Sequence, residues 1–511
     1  MQTTIERQEV KVEKFNYFVN GEYKQSKTEK YNEVCNPSTG EVEGLVPCCT
    51  EEEVMEAIQA AKTAFPAWSA TPVIKRSQVL YKIRQLIEEN IEELTLLVAK
   101  EHGKVLDEAK GDVLKAKEGT ELACQIPTQM MGDSLMNVSN GVDTVLYRES
   151  IGVFAGIVPF NFPAMIPMGW MAPGAIAAGN TVVLKVSSAT PRTALRMVEL
   201  YKEAGVPDGV INVVTCSRNE AEIFLTHEDV RGITFVGTTN VGKHIYSTAA
   251  AHGKRVQCLC EAKNHALVLK DAAVERSAAG ILNAAFGCAG ERCMALPVVA
   301  VEEEIADELV SAIVKLAKEV KVGPAYHSDS TLGPVVDAKH KANVLKWIEK
   351  GIEEGADLIL DGRDVKVEGF ENGFYIGPTI FDNVTDEMTI GQKEIFGPVL
   401  CIKRVKNFED GLAKMNANPF ANGSIIYTQS GYYAREFSKR THGGMVGVNV
   451  GIPVPVGVFP FSGHKNSFFG DLHCLGKDAV RFFTESKCVT TRWFDDEEKK
   501  NTKVSTWDGT M

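Results

Sequence analysis

The sequence lacks any basic run. Its 55 Lys and Arg are outnumbered by 67 Asp and Glu, giving a net charge of −12 at pH 7. That argues against nucleic acid or an anionic membrane as the main partner. A small anionic substrate remains compatible, because one local Arg or Lys can hold it. A secretory leader is also missing: the first twenty residues carry charges throughout and no apolar core segment. The twelve cysteines are therefore expected as free thiols in a reducing cytoplasm. None has metal-ligand spacing, since Cys48-Cys49 and Cys258/Cys260 have no partner Cys or His pair, so no metal is expected. There are no internal repeats. Ile151 to Leu184 holds no charged residue, a length that suggests a membrane span. Pro159, Pro163, Pro167 and Pro173, with Asn161 and Asn180, interrupt a spanning helix. A buried strand, a polar turn, a short helix and another strand fit better.

What is present is the composition of a globular chain, 44% hydrophobic and 24% charged over 511 residues, long enough for two or three domains. Apolar spacing predicts helices over 50–67 and 76–101. "GIVPFN", "GNTVVLKVS", "INVVT", "GITFVG" and "VQCLCEAKNHALVLK" read as short strands with helices between them. Strands alternating with helices mean a mostly parallel α/β sheet. After Asp271 the pattern restarts, with a helix over 276–294, a strand over 297–302 and a helix over 303–320. Asn140-Gly141 marks a hairpin within 137–150. "AVRFFTESKCVTTRWF" (479–494) reads as a distant strand, either part of an arm that pairs with another subunit or a closing edge strand of the same chain.

Several stretches could carry chemistry. Phe235-Val236-Gly237-Thr238 followed by Asn240-Val241-Gly242-Lys243 places a small-residue turn at a helix N-terminus, a ready phosphate site. On its own it is also an ordinary βα turn. Lys185 ends a buried strand, where ligands of open sheets bind. "PFNFP" (159–163) sets Asn161 between prolines, as a structural amide or a donor aimed at a developing oxyanion. "AAFGCAGERCMAL" (284–296) holds two cysteines around Glu291-Arg292. Alone, these suit a metal site, a redox couple, a nucleophile with a bystander, or two core residues.

Together with "AGNTVVLK", "AGVPDGVINVV" and "KEIFGPVL", in order over roughly residues 17–494, these stretches resemble the aldehyde dehydrogenase superfamily. Within it, "PFNFPAMIP", "AKNHALVL", "GERCMAL" and "MMGDSL" are most similar to the coenzyme-A-acylating methylmalonate-semialdehyde dehydrogenase branch. The resemblance implies a Rossmann-type cofactor domain from 1–136 and 151–265. It also implies a second α/β catalytic domain over 266–455, a small β oligomerisation arm from 137–150 and 479–496, and a loose tail over 497–511. A homotetramer built from dimers is the implied assembly.

The resemblance assigns roles to matching positions. Cys293 is the nucleophile, and Asn161 with the Cys293 backbone N–H stabilises the oxyanion. Lys185 contacts the adenosine ribose, Gly237 and Thr238 the pyrophosphate, and Glu394 the nicotinamide ribose. Phe396, Pro159 and Phe160 complete the cofactor side, while Phe162 faces substrate. NAD or NADP is the implied cofactor and coenzyme A the cosubstrate. Arg292 grips the substrate's anionic group through a bidentate pair. Cys288 is a packing residue, able to form an off-pathway disulfide with Cys293 if geometry allows.

Four departures qualify this. Leu259 stands where hydrolytic relatives place the general-base Glu of E-L-G-G-K, which favours acyl transfer to a thiol. Glu261 replaces a Gly of that motif. In an extended strand it faces the same way as Leu259 and could restore a base, although a solvated or salt-bridged acid is the commoner outcome. Ser188 replaces a ribose-binding Glu, which makes NADP plausible. Lys115 replaces a second substrate-gripping Arg and loses its fork geometry, so a sulfonated aldehyde competes with a carboxylated one. The segment after Pro163 is also one residue longer than the family pattern, near Gly169-Trp170. The expected activity is CoA-acylating oxidation of an anionic semialdehyde. Hydrolytic oxidation of an anionic aldehyde is the alternative, and a non-catalytic protein on the same fold is a third.

Overall fold

A computed structural model describes residues 12–454, 456–500 and 502. Most of the tail expected over 497–511, and residues 1–11 of the first block, lie outside the described residues. The strand–helix alternation produces two open sheets. The first has eight strands in the order Phe468–Phe469, Arg255–Leu259, Val230–Val236, Val153–Ile157, Thr181–Lys185, Ile211–Val214, Tyr17–Val19, Glu22–Lys24. Its five central strands run parallel. From Val153–Ile157 the chain winds outward to one side, then returns to build the other, so the strand order reverses at that strand. Ligands of such sheets bind at this reversal, beyond the strands' C-terminal ends. The central strands are mostly apolar and buried because helices cover both faces; in Thr181–Lys185 only Lys185 escapes full burial.

The second sheet has seven strands in the order Asp357–Leu360, Thr379–Asp382, Val399–Val405, Val298–Glu302, His265–Val268, Gly423–Tyr427, Met445–Val448. "VQCLCEAKNHALVLK" is therefore two strands in different sheets. The chain leaves the first at Leu259 and enters the second at His265. Glu261 lies in the irregular crossing between them. The extended-strand geometry that would align it with Leu259 does not hold.

Three other expectations need correction. The helix expected over 76–101 is two, Val73–Glu89 and Ile91–His102. Asn90 divides them by turning its side-chain amide onto the Leu86 carbonyl at 2.8 Å. The helix expected to reach residue 294 stops at Phe286, because Cys288, Ala289 and Gly290 all take left-handed φ, at 51°, 52° and 75°. The segment read as a strand from 479 begins as helix Gly476–Phe483 and becomes strand only over Thr484–Arg492. Helical spacing lets Phe482 and Phe483 both pack on Phe154, at 5.5 and 4.9 Å between ring centroids. Thr484–Arg492 then pairs antiparallel with Val142–Ser150, which forms a hairpin with Ser134–Ser139 across Asn140-Gly141. Leu135, Met136 and, just beyond, Trp493 are exposed on this small sheet.

The segment after Pro163 contains a turn wider than an α-helix, as an extra residue there would produce. Ile166–Met171 forms a π-turn that continues into helix Ala172–Ala177, and Ala172 N–H bonds the Pro167 carbonyl five residues back. One inserted residue in an α-helix produces such a turn, and such turns cluster at functional sites. Here it lies backbone-to-backbone on helix Leu106–Ala123. A Cβ on Gly169 would stand 2.7 Å from the Ala116 Cα, and one on Gly119 2.1 Å from the Gly169 carbonyl oxygen. Only glycine fits either position.

Candidate active site

The left-handed turn after Phe286 projects the segment carrying Cys293. It is held at several points. Cys288 N–H donates to Glu108 Oε1 at 2.8 Å. Gly290 lies against the next loop so closely that a Cβ would meet the Gly397 carbonyl oxygen at 2.2 Å. The Cys293 carbonyl accepts from Asn264 Nδ2 at 3.0 Å and Asn422 Nδ2 at 3.1 Å. Neither asparagine was singled out in the sequence. The signal existed: Asn264 lies between Lys263 and a buried strand, and a buried amide needs partners.

Cys293 opens onto a cavity of about 420 Å³. Arg292, Lys115 and Phe162 line it too, with Trp170 and Phe461 as an aromatic wall. The four residues expected on the substrate side thus share one chamber. Cys293 and Cys288 are both free thiols. Cys288 is buried, and Arg292 Nε approaches its sulfur at 3.2 Å. Burial first, then the Glu394 carboxylate, pushes the Cys293 thiol up to about 12. Its own and the Met294 backbone N–H, and Arg292, pull the other way. In this state Cys293 is a neutral thiol.

Asn161 is buried and donates Nδ2 to the Glu291 carbonyl at 3.1 Å, which ties the "PFNFP" turn to the nucleophile segment. Its own carbonyl accepts from Lys104 Nζ at 2.6 Å. Lys104 also pairs with Asp112 at 3.2 Å and lies 3.8 Å from the Phe162 ring centroid. Asn161 does not line the cavity; its neighbour Phe162 does. Beneath, Glu291 Oε1 accepts from Val336 N–H at 3.1 Å. Burial holds the Glu291 carboxyl well above, and His102 well below, their usual ranges. Their 3.8 Å approach is accordingly a neutral contact and not an ion pair. Phe160 packs among His102, His340 and Phe396 at 5.9, 5.9 and 5.8 Å. His340 Nε2 donates to the Phe396 carbonyl at 2.7 Å.

On the first sheet, Lys185 opens onto a separate cavity of about 270 Å³ with Ile157, Val158, Arg218 and a Glu222–His244 pair. Desolvation lowers the Lys185 pKa, and no carboxylate pairs with it among the described residues. A half-buried lysine in a cavity walled largely by apolar side chains, with Glu222 turned to His244, fits the sugar and ring of a dinucleotide. Ser188 follows three residues later, outside the lining. Pro159 follows the strand at which the order reverses, and Gly237 and Thr238 form the turn into helix Thr239–Ala251.

Glu261 departs from its candidate role as a base. Its Oε2 accepts from Thr239 N–H at 2.8 Å, so its carboxylate caps the N-terminus of that helix. It does not line the cavity onto which Cys293 opens. Glu394 Oε1 accepts from Ala262 N–H at 3.0 Å, and burial, with Glu261 nearby, pushes its carboxyl up to about 8.

Residues 23–489 match the model of the aldehyde dehydrogenase family. The chain is 50% identical over 477 residues to malonate-semialdehyde dehydrogenase 2 of Geobacillus kaustophilus, covering 93% of this chain and 98% of that protein. Among solved structures, a putative methylmalonate-semialdehyde dehydrogenase from Sinorhizobium meliloti, complexed with NAD, superposes with a TM-score of 0.93 at 40% identity. That match covers 95% of this chain and 99% of the other. Methylmalonate-semialdehyde dehydrogenase from Oceanimonas doudoroffii also gives 0.93, at 41% identity, over 96% and 100% of the two chains. A half-buried thiol on a cavity, a fastened amide beside its segment and a cleft at the strand reversal of a doubly wound sheet agree with these matches, and the chain belongs to the aldehyde dehydrogenase family.

Proposed function

We propose that the protein oxidises an anionic semialdehyde, malonate- or methylmalonate-semialdehyde-like, and passes the acyl group from Cys293 to coenzyme A. The observation that carries this reading is that Arg292, Lys115 and Cys293 open onto one cavity. Two cations there can hold a substrate's anionic end while its carbonyl meets the thiol. The names of the relatives point the same way.

The Cys293 sulfur adds to the aldehyde carbon as its thiol proton passes to water in the open cavity. The Cys293 backbone N–H receives the oxyanion, joined by the second N–H of Asn161 Nδ2 once the buried amide turns from the Glu291 carbonyl toward the cavity, a contribution on the order of 10²–10³ in rate per donor. A bound NAD or NADP, held by Lys185, the Gly237-Thr238 turn and Glu394, supplies the hydride acceptor. Collapse of the adduct leaves a thioester on Cys293. Leu259 is buried and cannot deprotonate water. The neighbouring carboxylates Glu261 and Glu394 are each committed to a backbone N–H. A thiol nucleophile, already partly ionised, needs no base.

Hydrolysis to the acid is the second reading. Glu394 favours it, being a carboxyl raised to about 8 close enough to act on the Cys293 thiol. The chain assembles as a homotetramer of dimers in the cytoplasm; the exposed apolar residues of the hairpin sheet support the assembly. The test offers carboxylated, sulfonated and neutral aldehydes with NAD or NADP, with and without coenzyme A, and reads products by mass spectrometry. Acyl-CoA formation is expected. Free acid under every condition overturns acyl transfer in favour of hydrolysis.

A further inference from the structure

Both cations of the substrate cavity already hold a carboxylate. Arg292 Nη2 donates to Glu108 Oε1 at 3.0 Å, with the two side chains only 15% and 17% exposed. Lys115 Nζ meets Glu118 Oε2 at 2.6 Å, but these side chains are 45% and 29% exposed. Glu108, Lys115 and Glu118 all project from helix Leu106–Ala123 and line the chamber.

The two pairs differ in strength. Water screens the Lys115–Glu118 pair, and exposed pairs of this kind contribute roughly 0–1 kcal/mol, so a substrate anion takes Lys115 from Glu118 with little loss while Glu118 keeps its long Gly457 N–H bond of 3.3 Å on the other oxygen. The Arg292–Glu108 pair is mostly dry and keeps much more of its Coulomb attraction. Glu108 is also fastened by Cys288 N–H, which shares Oε1 with the guanidinium. A substrate carboxylate or sulfonate that approaches Arg292 therefore meets a fixed negative charge already on it. Two anions on one guanidinium repel unless one moves or takes a proton.

We propose that Glu108 is a specificity-determining residue: it occupies Arg292 as a resident anion, and its charge sets how strongly the site favours anionic over neutral aldehydes. The proposal rests on Arg292 being the anchor for the substrate's anionic group. Glu108 holds Arg292 extended toward the cavity when no substrate is bound, and a substrate anion must share the guanidinium or displace Glu108 from it. A neutral aldehyde makes no such demand.

Glu108→Gln tests this, because the amide oxygen can still accept from Cys288 N–H while the charge is removed. The readout is the ratio of KM for a neutral aldehyde to KM for a carboxylated aldehyde of the same chain length. The ratio cancels general damage to the enzyme. It is expected to rise about tenfold in Glu108→Gln, the scale of removing one repulsive contact at a close charge pair. A ratio that stays at the wild-type value or falls overturns the proposal. Arg292→Gln in parallel tests the underlying reading. If Arg292→Gln leaves the ratio unchanged, Arg292 is not the anchor, and both readings fail. If Arg292→Gln collapses the ratio but Glu108→Gln does not raise it, only the role of Glu108 fails. Should Glu108→Gln melt below assay temperature, the ratio is read for it and the wild type at a lower temperature at which both are folded.

Discussion

Asn264 and Asn422 donate to the same acceptor, the backbone carbonyl of Cys293, at 3.0 and 3.1 Å. Each has a second anchor. Asn264 also donates to the Ala295 carbonyl at 2.7 Å and accepts from Gly423 N–H at 2.7 Å. Asn422 also reaches Met294 Sδ at 3.1 Å. One amide sits on the crossing between the sheets and the other at the head of a strand in the second sheet, so the Cys293 backbone is clamped to both segments. Asn264→Ala frees this clamp. We expect kcat to fall on the order of 10²-fold with KM little changed, since small misplacements of a reacting atom cost that much. Stopped-flow NADH formation in single turnover checks it; an unchanged burst rate contradicts it.

The Glu394 carboxyl titrates near about 8 and opposes ionisation of Cys293. Below that pH it is neutral and exerts no opposition. Above it the carboxylate forms and raises the thiol further. Glu394→Gln should therefore leave iodoacetamide labelling of Cys293 similar at neutral pH but speed it severalfold well above pH 8, at about pH 9.5. Equal labelling curves across that range would rule out the coupling.

Glu261 caps helix Thr239–Ala251 instead of facing the thioester. Glu261→Gln should hydrolyse a preformed acyl-enzyme within about twofold of the wild-type rate, as surface-type changes outside the chemistry do. Glu261→Ala, which removes the cap, should cost about 1 kcal/mol, seen as a lower Tm. A steep loss of hydrolysis in Glu261→Gln restores the base.

Arg218 and Lys185 line the cofactor cleft with no carboxylate at the Ser188 position. A 2′-phosphate would find two cations there, with Glu222, held by His244, as the one carboxylate among the described lining residues. Arg218→Ala should raise KM for NADP by about tenfold while moving KM for NAD less than about twofold, the difference one charged contact to phosphate makes. Steady-state comparison of the two cofactors decides it; parallel shifts mean that Arg218 does not read the phosphate.

Local pattern carried much of the fold into view. Alternating apolar strands and amphipathic helices are short-range signals, and both sheets follow from them. The ends of elements were harder. Helix Val274–Phe286 stops with no proline to mark it. Its stop is enforced by Glu108, 180 residues away, and by the backbone of Gly397. Cys293, Asn161 and Arg292 were legible only through resemblance in their flanking motifs. Asn264, Asn422 and Glu108 were not, because each acts through a partner distant in sequence. Glu261 was misaligned because the strand that would have presented it ends two residues earlier.

The π-turn at Ile166–Met171 separates the shape of the pocket from its chemistry. An added residue in a loop would be absorbed without effect on either flank. Within a helix that lies against Gly119, the wider turn takes the residue up locally, and the helix beyond it keeps its register. Trp170 rides on that turn and lines the chamber, while Asn161 and Phe162 precede it and Cys293 stands on another element. A change confined to this one turn therefore re-aims a chamber wall and leaves the Cys293 segment in place.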